Sequence, residues 1–302
     1  MTRIRWQLVA LLAPALTLAV ALSGCGKKDE GKGSGDGGSA SSDSGSKGGG
    51  EKKAIEAKAR GTLKGRAVLV GDLPSMAGKD ADLQAKMKEK EARCLADATD
   101  EEKAQYEWRV NPQTKGVENV IVWLAPPEGA YFKLSDEDKK PARPEVVFHQ
   151  PHCAFIPHCD VAFTHYREGG KLVPTGQKVV FKNDAAFPHN TDYKGSRVQG
   201  RNQLLAPGDQ FEPKDMQPDI KEITLSCQVH PWMHAYLRDF DHPWAAVTDK
   251  DGNFEIKNVP ADVELQLVAW HEVPKMLLGD KGKKITLKAG DNTEEIEVPA
   301  PK

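Results

Sequence analysis

The sequence predicts a mainly β protein carrying one short helical segment. Three observations support this. Apolar residues come in short runs bounded by Gly, Pro, Asn or Asp, the pattern of strands joined by turns. Gly and Pro supply 27 and 20 of the 302 residues and aromatics only 7%, which favours a chain rich in loops and short strands. A single stretch, residues 79–94, is dominated by the helix formers Ala, Leu, Met, Lys and Glu. The length allows roughly two domains. With 39% hydrophobic and 28% charged residues, the chain lacks the recurring apolar stretches of a polytopic membrane protein. Its net charge of -2 shows no basic excess, which argues against a nucleic-acid binder.

Residues 1–25 stand apart from the fold. Arg3 and Arg5 precede an apolar run, Leu8 to Leu22, that ends Leu22-Ser23-Gly24-Cys25. This resembles a bacterial lipoprotein signal, in which the Cys becomes the lipidated first residue after cleavage. The alternatives are an ordinary secretory signal or an N-terminal membrane anchor. Gly26 stands where Gram-negative lipoproteins held at the inner membrane commonly carry Asp, so the resemblance leans to the outer membrane. It implies a lipid-anchored, extracytoplasmic chain facing the periplasm, where disulfides persist. Residues 26–50 are almost entirely Gly, Ser, Lys and Asp and have no apolar surface to bury; a disordered tether is expected over 26–60.

Strand signals then follow in order. Leu63–Val70 reads as a strand closed by Gly71-Asp72. Residues 79–94 read as the helix, and Glu101–Glu107 as a further helical turn. Val117–Leu124 is an apolar strand ended by Ala125-Pro126-Pro127, and 133–145 is a charged, Pro-broken loop. Beyond Val146 short strands dominate, at 179–182, 221–226, 245–248, 263–270, 285–288 and 293–298. Asp249-Lys250-Asp251-Gly252-Asn253 is a turn signal between two of them.

One segment carries chemistry. In Ser226-Cys227-Gln228-Val229-His230-Pro231-Trp232-Met233, Cys, His and Met recur three residues apart. Thiolate, imidazole and thioether suit a soft copper ion, and two His, one Cys and a weak axial Met make the blue-copper arrangement. The second His is available at Phe187-Pro188-His189-Asn190, just past the strand around Val179-Val180-Phe181-Lys182. A Cys-x-x-His pair alone could also be a zinc half-site or a buried Cys.

These two segments resemble the cupredoxin family, over roughly residues 145–243, and the short Cys-x-x-His-Pro-x-Met loop is of the amicyanin type. The resemblance implies a Greek-key β-sandwich with one type 1 copper ion on His189, Cys227, His230 and Met233. Asn190 would tether the first ligand loop to the Cys loop, and Trp232 would pack over the site. Two neighbouring copper classes do not fit. A dinuclear electron-entry centre needs two bridging Cys in one loop. A multicopper oxidase has His on both sides of its Cys, where this chain has Ser226 and Gln228. The implied function is a single-electron carrier between extracytoplasmic redox proteins such as a cytochrome or a dehydrogenase, and not an enzyme. Copper storage or delivery is the alternative, and a structural envelope protein with a vestigial site is a third.

Of the five Cys, Cys94, Cys153 and Cys159 are left after Cys25 and Cys227 are assigned. One disulfide and one free thiol is the simplest account, with Cys94 paired to Cys153 or to Cys159. His149, His152, His158 and His165, close to Cys153 and Cys159, suggest either a second metal site or, as the favoured reading, local hydrogen bonding. His234, His242 and His271 show no ligand spacing, although His234 follows Met233 directly. Finally, Ala246–Pro260 with Leu265–Trp270 resembles the carboxypeptidase regulatory-like domain, a small transthyretin-like β-sandwich. Residues 61–144 with 244–298 would form it discontinuously around an inserted 145–243; a tandem arrangement is the alternative.

Overall fold

The structure, a computed structural model, describes residues 53–72 and 75–301. The signal over 1–25, with Cys25, and the tether as far as residue 52 lie outside the described residues. A strand begins at Lys53, inside the stretch expected as tether through residue 60. This strand, Lys53–Ile55, pairs in parallel with Ala130–Phe132. Half-buried Ile55 packs on a core, and the backbone pairing holds the segment down.

Residues 145–239 form a β-sandwich. One sheet has five strands in the order Arg201–Leu205, His189–Lys194, Ile223–Ser226, His234–Asp239, Cys159–Ala162. The other has three, Gln210–Phe211, Lys178–Asn183 and Glu145–Gln150. In Glu145–Gln150 every second residue is buried, as a strand with one inward face requires. Val146, Phe148, Phe181, Ile223, Leu225 and Leu237 pack together between the sheets. Each such side chain, when fully buried, contributes about 1.5–3 kcal/mol.

The helix Ala77–Lys90 lies against this sandwich and sends Met87 into its core. It stops short of the expected 79–94, because Glu91 is extended (φ -155°, ψ 91°) and the chain resumes as a 3-10 turn at Ala92–Cys94. The second helical segment is a single turn, Asp100–Lys103. Thr99 accepts from the Glu102 N–H, and the Glu102 carboxylate accepts from the Thr99 N–H. No helix among the described residues is long and apolar enough to cross a membrane.

The remaining strands come from both sides of that segment. Ala245–Val247, Ile121–Ala125, Glu264–His271 and Lys275–Met276 form one sheet, with Lys283–Thr286 also on Glu264–His271. Asn253–Ala261, Ala59–Val70 and Gly290–Pro299 form another. Early and late strands alternate in register: Trp123 opposes Ala245, Leu124 opposes Leu267 and Gly65 opposes Phe254. Leu63, Val122, Phe254 and Leu267 share one core. Gly65 is needed there, since a Cβ would sit 2.2 Å from the Glu294 carbonyl oxygen and 2.5 Å from the Phe254 ring. The strand expected from Val117 begins only at Ile121, because Asn119 turns the backbone with φ 66°. A smaller cluster of Trp123, Cys159, Phe240 and Trp270 joins the two cores.

Asp239 closes the strand His234–Asp239 in full burial. Its carboxyl accepts from the Thr164 N–H at 3.1 Å and from the Thr164 hydroxyl. Burial outweighs these bonds and pushes its pKa up to about 7. A carboxyl that holds its proton more tightly when folded adds stability at low pH. That stability is lost as pH rises from about 4 through about 7. Urea unfolding at pH 5 and pH 8 should therefore show the parent losing more stability than Asp239→Asn, by on the order of 2–3 kcal/mol. Equal pH dependence in the two proteins would contradict this assignment.

Candidate metal centre

Three potential ligands converge because two strand ends and one loop meet. His189 opens the strand His189–Lys194, and Cys227 directly follows Ile223–Ser226. The loop from Cys227 to Met233 is closed by its own backbone. The Cys227 N–H donates to the Met233 carbonyl at 3.2 Å, and the Met233 N–H donates to the His230 carbonyl at 2.9 Å. Asn190 crosses from the neighbouring strand. Its side-chain oxygen accepts from the Gln228 and Val229 N–H groups at 2.9 and 3.2 Å, and lies 3.4 Å from the Cys227 sulfur.

His189, Cys227, His230 and Met233 are all at most 3% exposed. The His189 and His230 Nδ1 atoms are 3.0 Å apart and lie 3.7 and 3.9 Å from the Cys227 sulfur. A point equidistant from these three corners lies about 2.1 Å from each, close to zinc–nitrogen and zinc–sulfur bond lengths of about 2.0–2.3 Å. The donor set therefore fits a metal ion of this size. Burial, and secondarily the neighbouring His230, pull the His189 imidazole down to about 4; burial also lowers His230. Both rings are therefore neutral near pH 7, the form that binds metal. Met233 completes the loop as a buried residue just before the next strand.

Around this centre, the Trp232 ring lies 5.3 Å from the His230 ring, and its indole N–H donates to the Cys153 carbonyl at 3.1 Å. Cys153 is disulfide-bonded to Cys94, and both sulfurs lie within 4.8 Å of a His230 ring nitrogen. The 3-10 turn and the segment after Gln150 are thereby fastened beside the ligand loop. Cys159 is a buried free thiol, and burial raises its pKa well above the ordinary range.

The histidines of 149–165 do not converge on one another. His149 meets Asp184, His152 meets Glu102 at 2.7 Å, and His165 meets the Thr164 hydroxyl at 2.9 Å. His158 turns instead to Glu272 and His234. His242 and His271 are buried, and burial draws both down to about 4. The His158–His234–Glu272 group escaped the sequence reading, because its members sit on three separate segments and share no spacing.

Solved structures that resemble part of this chain include the following three. A purple cupredoxin from Nitrosopumilus maritimus is 16% identical over 32% of this chain and 99% of its own, with a TM-score of 0.23. Amicyanin from Paracoccus versutus is 14% identical over 33% of this chain and 83% of its own, with a TM-score of 0.25. A copper-containing nitrite reductase from Thermus scotoductus is 16% identical over 32% of this chain, with a TM-score of 0.25, and this chain spans only 22% of it. No family model and no curated protein matches the sequence.

Proposed function

We propose that residues 145–243 are a cupredoxin-like unit holding one type 1 copper ion on His189, Cys227 and His230, with Met233 axial. The chain would carry single electrons between extracytoplasmic redox proteins, tethered at the outer membrane through lipid on Cys25. One observation supports the copper reading above others: a buried triangle of two neutral imidazole nitrogens and one thiol sulfur, of metal-binding size. Bound copper supplies a one-electron couple. The protein's part is to hold soft and borderline donors in a single geometry, so that little rearranges between the two oxidation states. Asn190 and the Cys94–Cys153 disulfide would serve this rigidity.

An axial thioether in a buried site leaves no open coordination position, which favours a carrier over a catalyst. Val229 and Leu204 are 51% and 63% exposed and flank Asn190 in the pairing and hydrogen-bond pattern. They offer an apolar face where a redox partner can approach the ligand loop. Redox titration of the copper-loaded chain is expected to show one reversible one-electron couple, with slow loss of copper to a chelator. Retained copper without a reversible couple would overturn the carrier reading. Rapid loss to the chelator would favour storage or delivery.

A further inference from the structure

Beside the ligand loop, a second group of donors meets around one carboxylate. The Glu272 oxygens lie 2.6 Å from His158 Nε2 and 3.2 Å from His234 Nε2. The other nitrogen of each ring is already committed. His158 Nδ1 is 3.1 Å from the His234 carbonyl oxygen, and His234 Nδ1 is 3.1 Å from the Trp232 carbonyl oxygen. A carbonyl only accepts, so each Nδ1 carries its hydrogen and each neutral ring presents an Nε2 lone pair. Both lone pairs face the same carboxylate, and that contact is repulsive unless a cation lies between.

Two protons or one metal ion can supply the positive charge. Two protons would set two imidazolium ions around one carboxylate at a site where the His158 and Glu272 side chains are 1% and 6% exposed. The Arg109 guanidinium adds another positive charge nearby. It lies 4.3 Å over the Tyr106 ring, which itself stacks 4.7 Å from His158. A divalent ion instead uses both lone pairs and the carboxylate at once. Its histidines have their Nδ1–H groups on backbone carbonyls, as metal-bound histidines commonly do. The Tyr106 hydroxyl is also buried without a hydrogen-bond partner.

We propose that His158, His234 and Glu272 form a second metal site, separate from the Cys227 centre, for a borderline divalent cation of the zinc class. Two imidazoles and one carboxylate are an established zinc ligand set. Entry is provided at His234, whose side chain is 35% exposed and lines a cleft of about 320 Å³ with Tyr106 and Trp232. The ion would clamp the strand His234–Asp239, next to Met233, onto the segment that follows Glu264–His271.

The test uses the full chain carrying Cys227→Ala and His189→Ala, which silences the first centre. Equilibrium dialysis against zinc(II) is expected to leave one tightly held equivalent. Glu272→Gln or His234→Gln added to this background should lower zinc affinity at least about tenfold. Cobalt(II) in the same background should give visible d–d bands that are lost when Glu272→Gln or His234→Gln is added, which ties the bound ion to this site. Should Glu272→Gln fail to fold, the more exposed His234→Gln decides. No zinc retained in the background, or zinc retained equally in the added variants, would overturn the proposal. The first outcome would mean that the group is a protonated hydrogen-bond network only.

Discussion

Copper(II) added to the chain and freed of excess is expected to leave one equivalent bound and to give an intense visible thiolate-to-copper band. Cys227→Ser is expected to abolish that band and to cut retained copper at least about tenfold. The thiolate is the soft donor of the triangle; a serine hydroxyl is harder, stays protonated and makes no low-energy charge-transfer transition. Cys227 is 2% exposed and not in a disulfide, so the substitution changes one atom inside a packed site. The loop is closed by backbone hydrogen bonds and by Asn190, none of which depends on the Cys227 thiol proton. A folded variant without the band would assign the colour to this sulfur. A band of unchanged intensity in Cys227→Ser would place copper elsewhere.

The second large effect is expected from the disulfide. Cys94 and Cys153 are 59 residues apart, so their bond closes a long loop in the unfolded chain. The chain-entropy estimate for such a loop is about 4 kcal/mol. Cys94→Ala with Cys153→Ala should lower the thermal midpoint by about 8–16 °C for a folded region of this size. The proposed copper centre should register the loss as well. The Trp232 indole hangs on the Cys153 carbonyl, and the two sulfurs sit beside His230. A broadened copper spectrum in the double variant is therefore expected along with the stability loss. Unchanged unfolding with and without a thiol reductant would contradict the structural role.

The ease of reading each feature from sequence followed its range. The strand Ala59–Val70 shows its inward face as alternation, because a strand buried on one side imposes period two. Cys227, His230 and Met233 announce themselves through local spacing, and His189 through its place at a strand end. Ending the helix at Glu91 depended on backbone geometry, which helix-former content alone does not show. The strand Lys53–Ile55 was hidden because its one anchoring residue, Ile55, sits in a polar stretch. Choosing Cys153 over Cys159 as partner for Cys94 needed three-dimensional proximity. Glu272 stayed invisible for the same reason: what marks it is two histidines brought from distant segments.

The pairing of Ala59–Val70 with Gly290–Pro299 bears on how the molecule is made. These strands run parallel over ten residue pairs, from Gly61 with Gly290 to Val70 with Pro299. During synthesis the early strand emerges long before its partner exists. Until then one edge of that strand keeps free N–H and C=O groups, a template for pairing with another chain. Formation of this sheet must also wait for a contact between distant parts of the chain, a slow class of event. A chaperone or a slow release of the nascent chain would matter most in that interval, and a chain cut before residue 290 would keep the open edge permanently.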